Sequence, residues 1–163
     1  MRTAICPGSF DPITLGHLNI IRRASNLFDK VVVCVMCNST KVSPMFTVEE
    51  KMDMVRTAVS RYPNVMVDCS SGLLAEYAKK HEGAVLIKGL RAASDFDYEF
   101  QMDLINKRIN PELETIFLTA DQKYTFLSST IVREMARYGA DLKGLVPDEL
   151  IGFIEEKAKA RRE

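Results

Sequence analysis

The chain has no net charge, because 22 basic side chains meet 22 acidic ones. It therefore has no broad positive field to steer it onto nucleic acid or an anionic membrane. It has no apolar run near the roughly 20 residues that a membrane span needs. It does not open on the charged-then-apolar pattern of an export signal either, since Pro7 and Gly8 interrupt the first apolar run. These absences predict a cytoplasmic protein. Repeats, low-complexity stretches and linker-like segments are also missing, so residues 1–163 are expected to form one domain.

Cysteine is scarce: Cys6, Cys34, Cys37 and Cys69. Cys34 and Cys37 have the C-x-x-C spacing of some zinc and redox sites. They lie in "KVVVCVMCN", a β-branched apolar run that reads as a buried strand. Strand residues three apart point to opposite faces, so this spacing cannot pinch a metal or close a local disulfide. Cys34 and Cys37 are expected to be buried reduced thiols acting as small apolar side chains. No clustered Asp/Glu metal cage is visible, and no serine, histidine and acid constellation.

What is present is a set of short apolar runs: Thr3–Cys6, Val31–Cys37, Val65–Asp68, Ala84–Lys88 and Thr115–Thr119. Between them lie stretches with helical spacing. "GHLNIIRRASNLF" opens near Gly16 and His17. "TVEEKMDMVRTAV" carries Thr47 and Glu50 at capping-box spacing. "GLLAEYAKKH", "DFDYEFQMDLINKRI" and "STIVREMARYG" follow, the last stopped by Gly139, and Pro147 opens a final amphipathic helix. Strands alternating with helices predict an α/β domain, doubly wound, with five parallel strands. Continuous apolar strands predict that both sheet faces are covered. Ligands of such sheets bind beyond the carboxyl ends of the strands, where strand order reverses.

The loops after the strands therefore matter most. The first is "PGSFDPITLGHLNI". Gly8 and Gly16 let backbone come close to a ligand. A helix starting near Gly16 would aim free N–H groups and its positive dipole end at a phosphate. His17 would donate to a phosphoryl oxygen there; the alternative is a histidine facing water. Lys41, in "NSTKVSPMF", reads by itself as a surface lysine. Lys88 and Arg91 flank Gly89 at a strand's carboxyl end and suit a polyphosphate better than a salt-bridged face does. Ser128, Ser129 and Thr130 crowd a helix start. One is an N-cap, and three exceed what capping needs, so they make a second phosphate cradle. Leu73 and Leu74 are core residues or the wall of an apolar groove.

"PGSFDPITLGH" resembles the phosphate-binding motif of the nucleotidyltransferase superfamily, read here as Thr14, Leu15, Gly16 and His17. "PMFTVEEK", "LIKGLRAASDFDYEFQM" and "FLSSTIVREMA" then follow in the order found in the phosphopantetheine adenylyltransferase family. The resemblance covers nearly the whole chain. It implies a Rossmann-like fold and transfer of the adenylyl group of ATP to 4′-phosphopantetheine, giving dephospho-coenzyme A and pyrophosphate. Direct in-line attack needs no protein nucleophile. By the same resemblance His17 is catalytic. ATP contacts are implied at Ser9, Phe10, His17, Gly89, Leu90, Arg91 and Glu99, and along Tyr124, Thr125, Phe126, Leu127, Ser128, Ser129 and Thr130. Acceptor contacts are implied at Ser9, Lys41, Leu74 and Lys88. Mg²⁺ is expected to arrive with ATP. A homohexamer is implied, with coenzyme A a candidate inhibitor and no nucleic acid or membrane partner. The chain departs from the family's common pattern at Ser9 (Thr), at Lys88 (Arg) and by one extra residue after Lys41. Two rivals stay open: another nucleotidyltransferase, making NAD or CDP-glycerol, and a nucleotide sensor without catalysis.

Overall fold

A computed structural model describes residues 1–37 and 43–161. Five strands form one parallel sheet: β1 (Thr3–Gly8), β2 (Lys30–Met36), β3 (Val65–Ser70), β4 (Val85–Leu90) and β5 (Glu114–Thr119), in the order β3-β2-β1-β4-β5. Helices connect and flank them: α1 (Leu15–Leu27), α2 (Val48–Val59), α3 (Leu74–Ala78), α4 (Ala93–Ile109), α5 (Ser129–Arg137) and α6 (Ile151–Ala160). Short 3₁₀ turns occupy Gln122–Tyr124 and Asp148–Leu150, the second opening α6 after Pro147. The five strands and the doubly wound α/β class agree with the sequence reading.

Neighbouring strand residues divide between two cores, as the two-residue strand period requires. Ala4, Cys6, Val31, Val33 and Val35 pack with Ile21, Val55, Val132 and Ile154 on one face. Ile5, Val32, Cys34 and Leu86 pack with Ala75, Tyr77 and Leu113 on the other. Coverage of both faces holds for the inner strands only. β3 and β5 alternate with exposed residues because each is an edge strand; Met66 and Ile116 face solvent. The expectation that Cys34 and Cys37 are both buried needs a similar correction. Cys6 and Cys34 are buried, but Cys37 at the end of β2 is half-buried and Cys69 on the edge strand is exposed. Burial pushes the Cys6 and Cys34 thiols up to about 12, so neither is a nucleophile.

The sheet itself creates the functional opening. β1 pairs with β2 over six residues but with β4 over only two, Ala4 with Val85 and Ile5 with Leu86. Pro7 has no N–H to extend the β1–β4 ladder. Beyond Leu86 these strands part, and this is the place where strand order reverses. The bulk of α1 comes close to the gap: a Cβ on Gly89 would lie 3.0 Å from Ile20.

Candidate active site

A cleft of about 680 Å³ occupies this gap. Its walls include Gly8, Ser9, Phe10 and His17 from the first loop, Lys88, Gly89 and Arg91 from the end of β4, and Ser128 and Ser129 from the start of α5. Three sequence-distant segments thus meet because each follows the carboxyl end of a strand or opens the next helix.

The first loop builds its own geometry. Thr14 is the N-cap of α1, two residues before the expected helix start. Its Oγ1 accepts from the His17 N–H at 3.3 Å, and its own N–H donates to His17 Nδ1 at 3.0 Å. The imidazole therefore stands where a capping box usually has Glu or Gln. Nδ1 acts as an acceptor, so the neutral ring carries its proton on Nε2. Burial first, and the nearby Arg91 charge second, lower the His17 pKa to about 4. At neutral pH the ring is uncharged and offers one N–H donor. The Phe10 ring meets it edge-on at 5.1 Å. Phe10 itself sits at φ 46°, in the left-handed region.

The cations are already paired. Lys88 Nζ lies 2.9 Å from Glu99 Oε2. Arg91 Nε lies 3.1 Å from Asp95 Oδ2, and its Nη1 donates to the Leu127 carbonyl at 2.9 Å. The expectation that Lys88 and Arg91 would not form a salt-bridged face is therefore corrected. The first turns of α4 carry acids across from the end of β4, and these hold both cations in the cleft wall.

The three hydroxyls of α5 also have local partners. Ser128 is the N-cap and accepts from the Ile131 N–H at 3.2 Å. Ser129 Oγ donates to the Pro12 carbonyl at 2.7 Å, and Thr130 Oγ1 accepts from Arg133 Nη2 at 3.2 Å. The two hydroxyls beyond the cap tie α5 to the first loop and to Arg133. Each keeps further hydrogen-bonding capacity toward a ligand.

Of the other expected residues, Leu74, Glu99, Tyr124 and Leu127 line the cleft. Leu73 lines it too and is largely exposed, with Met102, Ile105 and Ile109 extending the apolar wall. Leu90, Thr125 and Phe126 do not line it. The Leu90 carbonyl accepts from Ala120, Thr125 Oγ1 donates to the Gln122 carbonyl, and Phe126 faces solvent. Thr130 lines a second, adjoining cleft of about 870 Å³. Lys41 lies outside the described residues.

Asp11 escaped the sequence reading. It is buried, and its two carboxylate oxygens each accept a backbone N–H at 3.0 Å, from Met45 and Phe46. It also faces Lys51 and Arg133. An acid between Phe and Pro in a loop gave no periodic signal. The cap formed by Thr14 and His17 did leave one, a threonine three residues before a side chain able to accept.

Residues 5–135 match the cytidylyltransferase-like family. The chain is 50% identical over 161 residues to a phosphopantetheine adenylyltransferase of Dictyoglomus turgidum, covering 99% of this chain and all of that one. It is 50% identical over 159 residues to a phosphopantetheine adenylyltransferase of Caldanaerobacter subterraneus, covering 98% and 99%. It is 47% identical over 163 residues to one of Clostridium botulinum, covering 100% and 99%. Its fold superposes with a TM-score of 0.73 on a Vibrio parahaemolyticus structure assigned provisionally as a nicotinate-nucleotide adenylyltransferase. That match is 17% identical and covers 99% of this chain and 96% of the other.

Proposed function

The chain belongs to the phosphopantetheine adenylyltransferase family, and on that premise we propose that it transfers the adenylyl group of ATP to 4′-phosphopantetheine. The products are dephospho-coenzyme A and pyrophosphate, a step of coenzyme A biosynthesis. The observation that carries this reading is identity near 50% along essentially the full length of both chains.

An oxygen of the acceptor's phosphate attacks the α-phosphorus of ATP. A new P–O bond forms as the bond to the bridging oxygen of the departing pyrophosphate breaks. No protein side chain is attached at any stage, so catalysis consists of positioning and charge stabilisation. His17 supplies the second. Its Nε2–H is the donor left by the cap, in a ring that burial keeps uncharged. Such a donor acts on charge that grows in the transition state. The α1 N-terminus adds its dipole. Ser9, Phe10, Gly89, Arg91, Glu99, Tyr124, Leu127, Ser128 and Ser129 of the cleft, with Thr130 beside it, are the proposed ATP contacts; Ser9, Lys41, Leu74 and Lys88 are those of the acceptor. At Lys88 a point charge replaces the fork of an arginine, and Glu99 shares it.

Mg²⁺ enters with ATP as part of the substrate. Among the described residues no three His, Cys, Asp or Glu side chains converge. Asp95 and Glu99 of the cleft are engaged by Arg91 and Lys88. Mg²⁺ also favours phosphate oxygens and water. Full turnover in excess chelator, or tight Mg²⁺ binding to the nucleotide-free protein, would contradict this.

The reading extends to a cytoplasmic homohexamer inhibited by coenzyme A, which shares both the pantetheine arm and an adenylate with the product. Exposed Phe96, Phe100 and Leu104 on α4 supply apolar surface for assembly. Light scattering tests the hexamer, and initial rates with added coenzyme A test the inhibition. Among the described residues no helix is long and apolar enough to cross a membrane. For the reaction, pyrophosphate release is measured with ATP and 4′-phosphopantetheine, and with the acceptors of NAD and CDP-glycerol synthesis. Release with 4′-phosphopantetheine supports the reading; release only with another acceptor, or none despite ATP binding, overturns it.

A further inference from the structure

The second cleft holds charged groups for which the residues assigned above have no use. It shares Ser9 and Ser129 with the first, and its wall carries Asp11, Lys51 and Arg133. Asp11 spends both carboxylate oxygens on backbone N–H groups. Two cations approach this carboxylate without a close bond to it: Lys51 Nζ lies 3.9 Å from Oδ1, and Arg133 Nη1 lies 3.6 Å from Oδ2. The Lys51 side chain is only 8% exposed. A buried ammonium is unfavourable unless its donors are used and its charge is balanced. Its three N–H groups meet no acceptor within hydrogen-bond distance among the described residues. Arg133 gives Nη1 to the Asp11 carbonyl at 2.7 Å and Nη2 to Thr130, which leaves part of its five-donor fork unused.

The surrounding charges do not cancel this excess. Arg137, Arg161 and Glu134 complete the charged lining, so four cations face two carboxylates. Surplus positive charge and surplus donors occur together, at a wall continuous with the reaction cleft. A tetrahedral oxyanion supplies both missing partners, since it carries the negative charge and several acceptors.

We propose that Lys51 and Arg133 hold a phosphate-class oxyanion in the second cleft, beside Ser9 and Ser129, with Asp11 fixing the spacing of the two cations. The identity of that anion rests on the adenylyl-transfer reading. Two reacting groups have this chemistry: the phosphate of the acceptor, and the outer phosphates of ATP that depart as pyrophosphate.

The test titrates inorganic pyrophosphate, and separately 4′-phosphopantetheine, into the full chain by calorimetry. In Lys51→Gln, loss of one charge-assisted contact should weaken the relevant probe by about ten- to a hundredfold. The probe that weakens identifies the source of the anion. Pantetheine, which lacks the phosphate, should bind wild type and variant alike. Lys51→Arg keeps the charge and should retain most of the affinity. Arg133→Gln should act in the same direction and serves if Lys51→Gln does not fold, as judged by a thermal melt. Wild-type affinity for both probes in the folded variants overturns the site. Absence of turnover in the wild type, with pyrophosphate binding still dependent on Lys51, would instead overturn the reaction reading and leave the site standing.

Discussion

Helices α1 and α2 start with the same reciprocal cap and use it for different ends. In α2, Thr47 Oγ1 accepts from the Glu50 N–H at 3.2 Å, and the Thr47 N–H donates to Glu50 Oε2 at 2.8 Å. The Glu50 carboxylate then reaches Lys157 of α6 at 2.6 Å. In α1 the third helical residue is His17, whose Nδ1 takes the place of the carboxylate oxygen. The two oxygens of a carboxylate are equivalent, but the two nitrogens of a neutral imidazole are not. Occupying one as an acceptor assigns the proton to the other. At α2 the device ties two helices together; at α1 the same device sets a tautomer.

The comparison breaks most visibly at the third helical residue. His17→Ala should lower kcat by about 10²–10³ with the KM for ATP nearly unchanged. Glu50→Ala should leave kcat intact and lower the melting temperature. His17→Gln can still accept from Thr14 and donate, so it should recover part of the rate; His17→Asn is shorter and should recover less. Steady-state kinetics and melts on the same proteins decide this, and a normal kcat in folded His17→Ala would remove the catalytic role.

Next in size are the capping threonines. Thr14→Ala and Thr47→Ala should each cost about 1 kcal/mol of stability. Only Thr14→Ala should also reduce kcat, by less than His17→Ala does, because the ring loses a partner that orients it. Equal kinetics in the two variants would show that the cap has no part in positioning the ring.

The remaining effects are those of pH. In the ligand-free protein His17 should titrate near 4 in a histidine NMR titration. Its folded value lies below the unfolded one of about 6.5. The unfolded chain then binds more protons between those values, and stability falls as pH drops through that window. A titration midpoint near 6.5 would contradict the burial of the ring. Glu50 has the same sign at lower pH: its hydrogen bond to Lys157 holds the carboxyl below the ordinary carboxylate range. Its contribution is present at neutral pH and fades on acidification through that lowered value. Denaturant melts in acid should show this in the wild type and lose it in Lys157→Ala. The effect should be small, since both side chains are about a quarter exposed.

Much of the scaffold was legible because its strands are β-branched runs with polar breaks between them. Val31 to Val35 could hardly be anything but an inner strand. The order β3-β2-β1-β4-β5 was not legible, since pairing between β1 and β4 joins residues about 80 positions apart. In the site, the motif residues Gly16 and His17 stood out, while the helix start was placed one residue late. The ion pairs were hidden for a different reason. Lys88 and Glu99 lie on a strand and a helix, so no periodic spacing links them, and Arg91 to Asp95 spans a helix boundary. Asp11, Lys51 and Arg133 come together only through the tertiary fold, and a single sequence carries no trace of such a triad.

The contact between Gly8 and Phe10 gives the first loop a history as well as a shape. A Cβ on Gly8 would stand 3.0 Å from the Phe10 ring, the ring that abuts His17 from a left-handed backbone. Gly8→Ala crowds an aromatic that cannot retreat without disturbing the imidazole, while Phe10→Leu removes the wall but leaves room. Each change alone should be harmful, and the second should soften the first, a coupling that a double-mutant cycle would register. An alanine at position 8 is better tolerated once position 10 carries a smaller side chain, so the order of substitutions, and not only their sum, shapes how the loop can evolve.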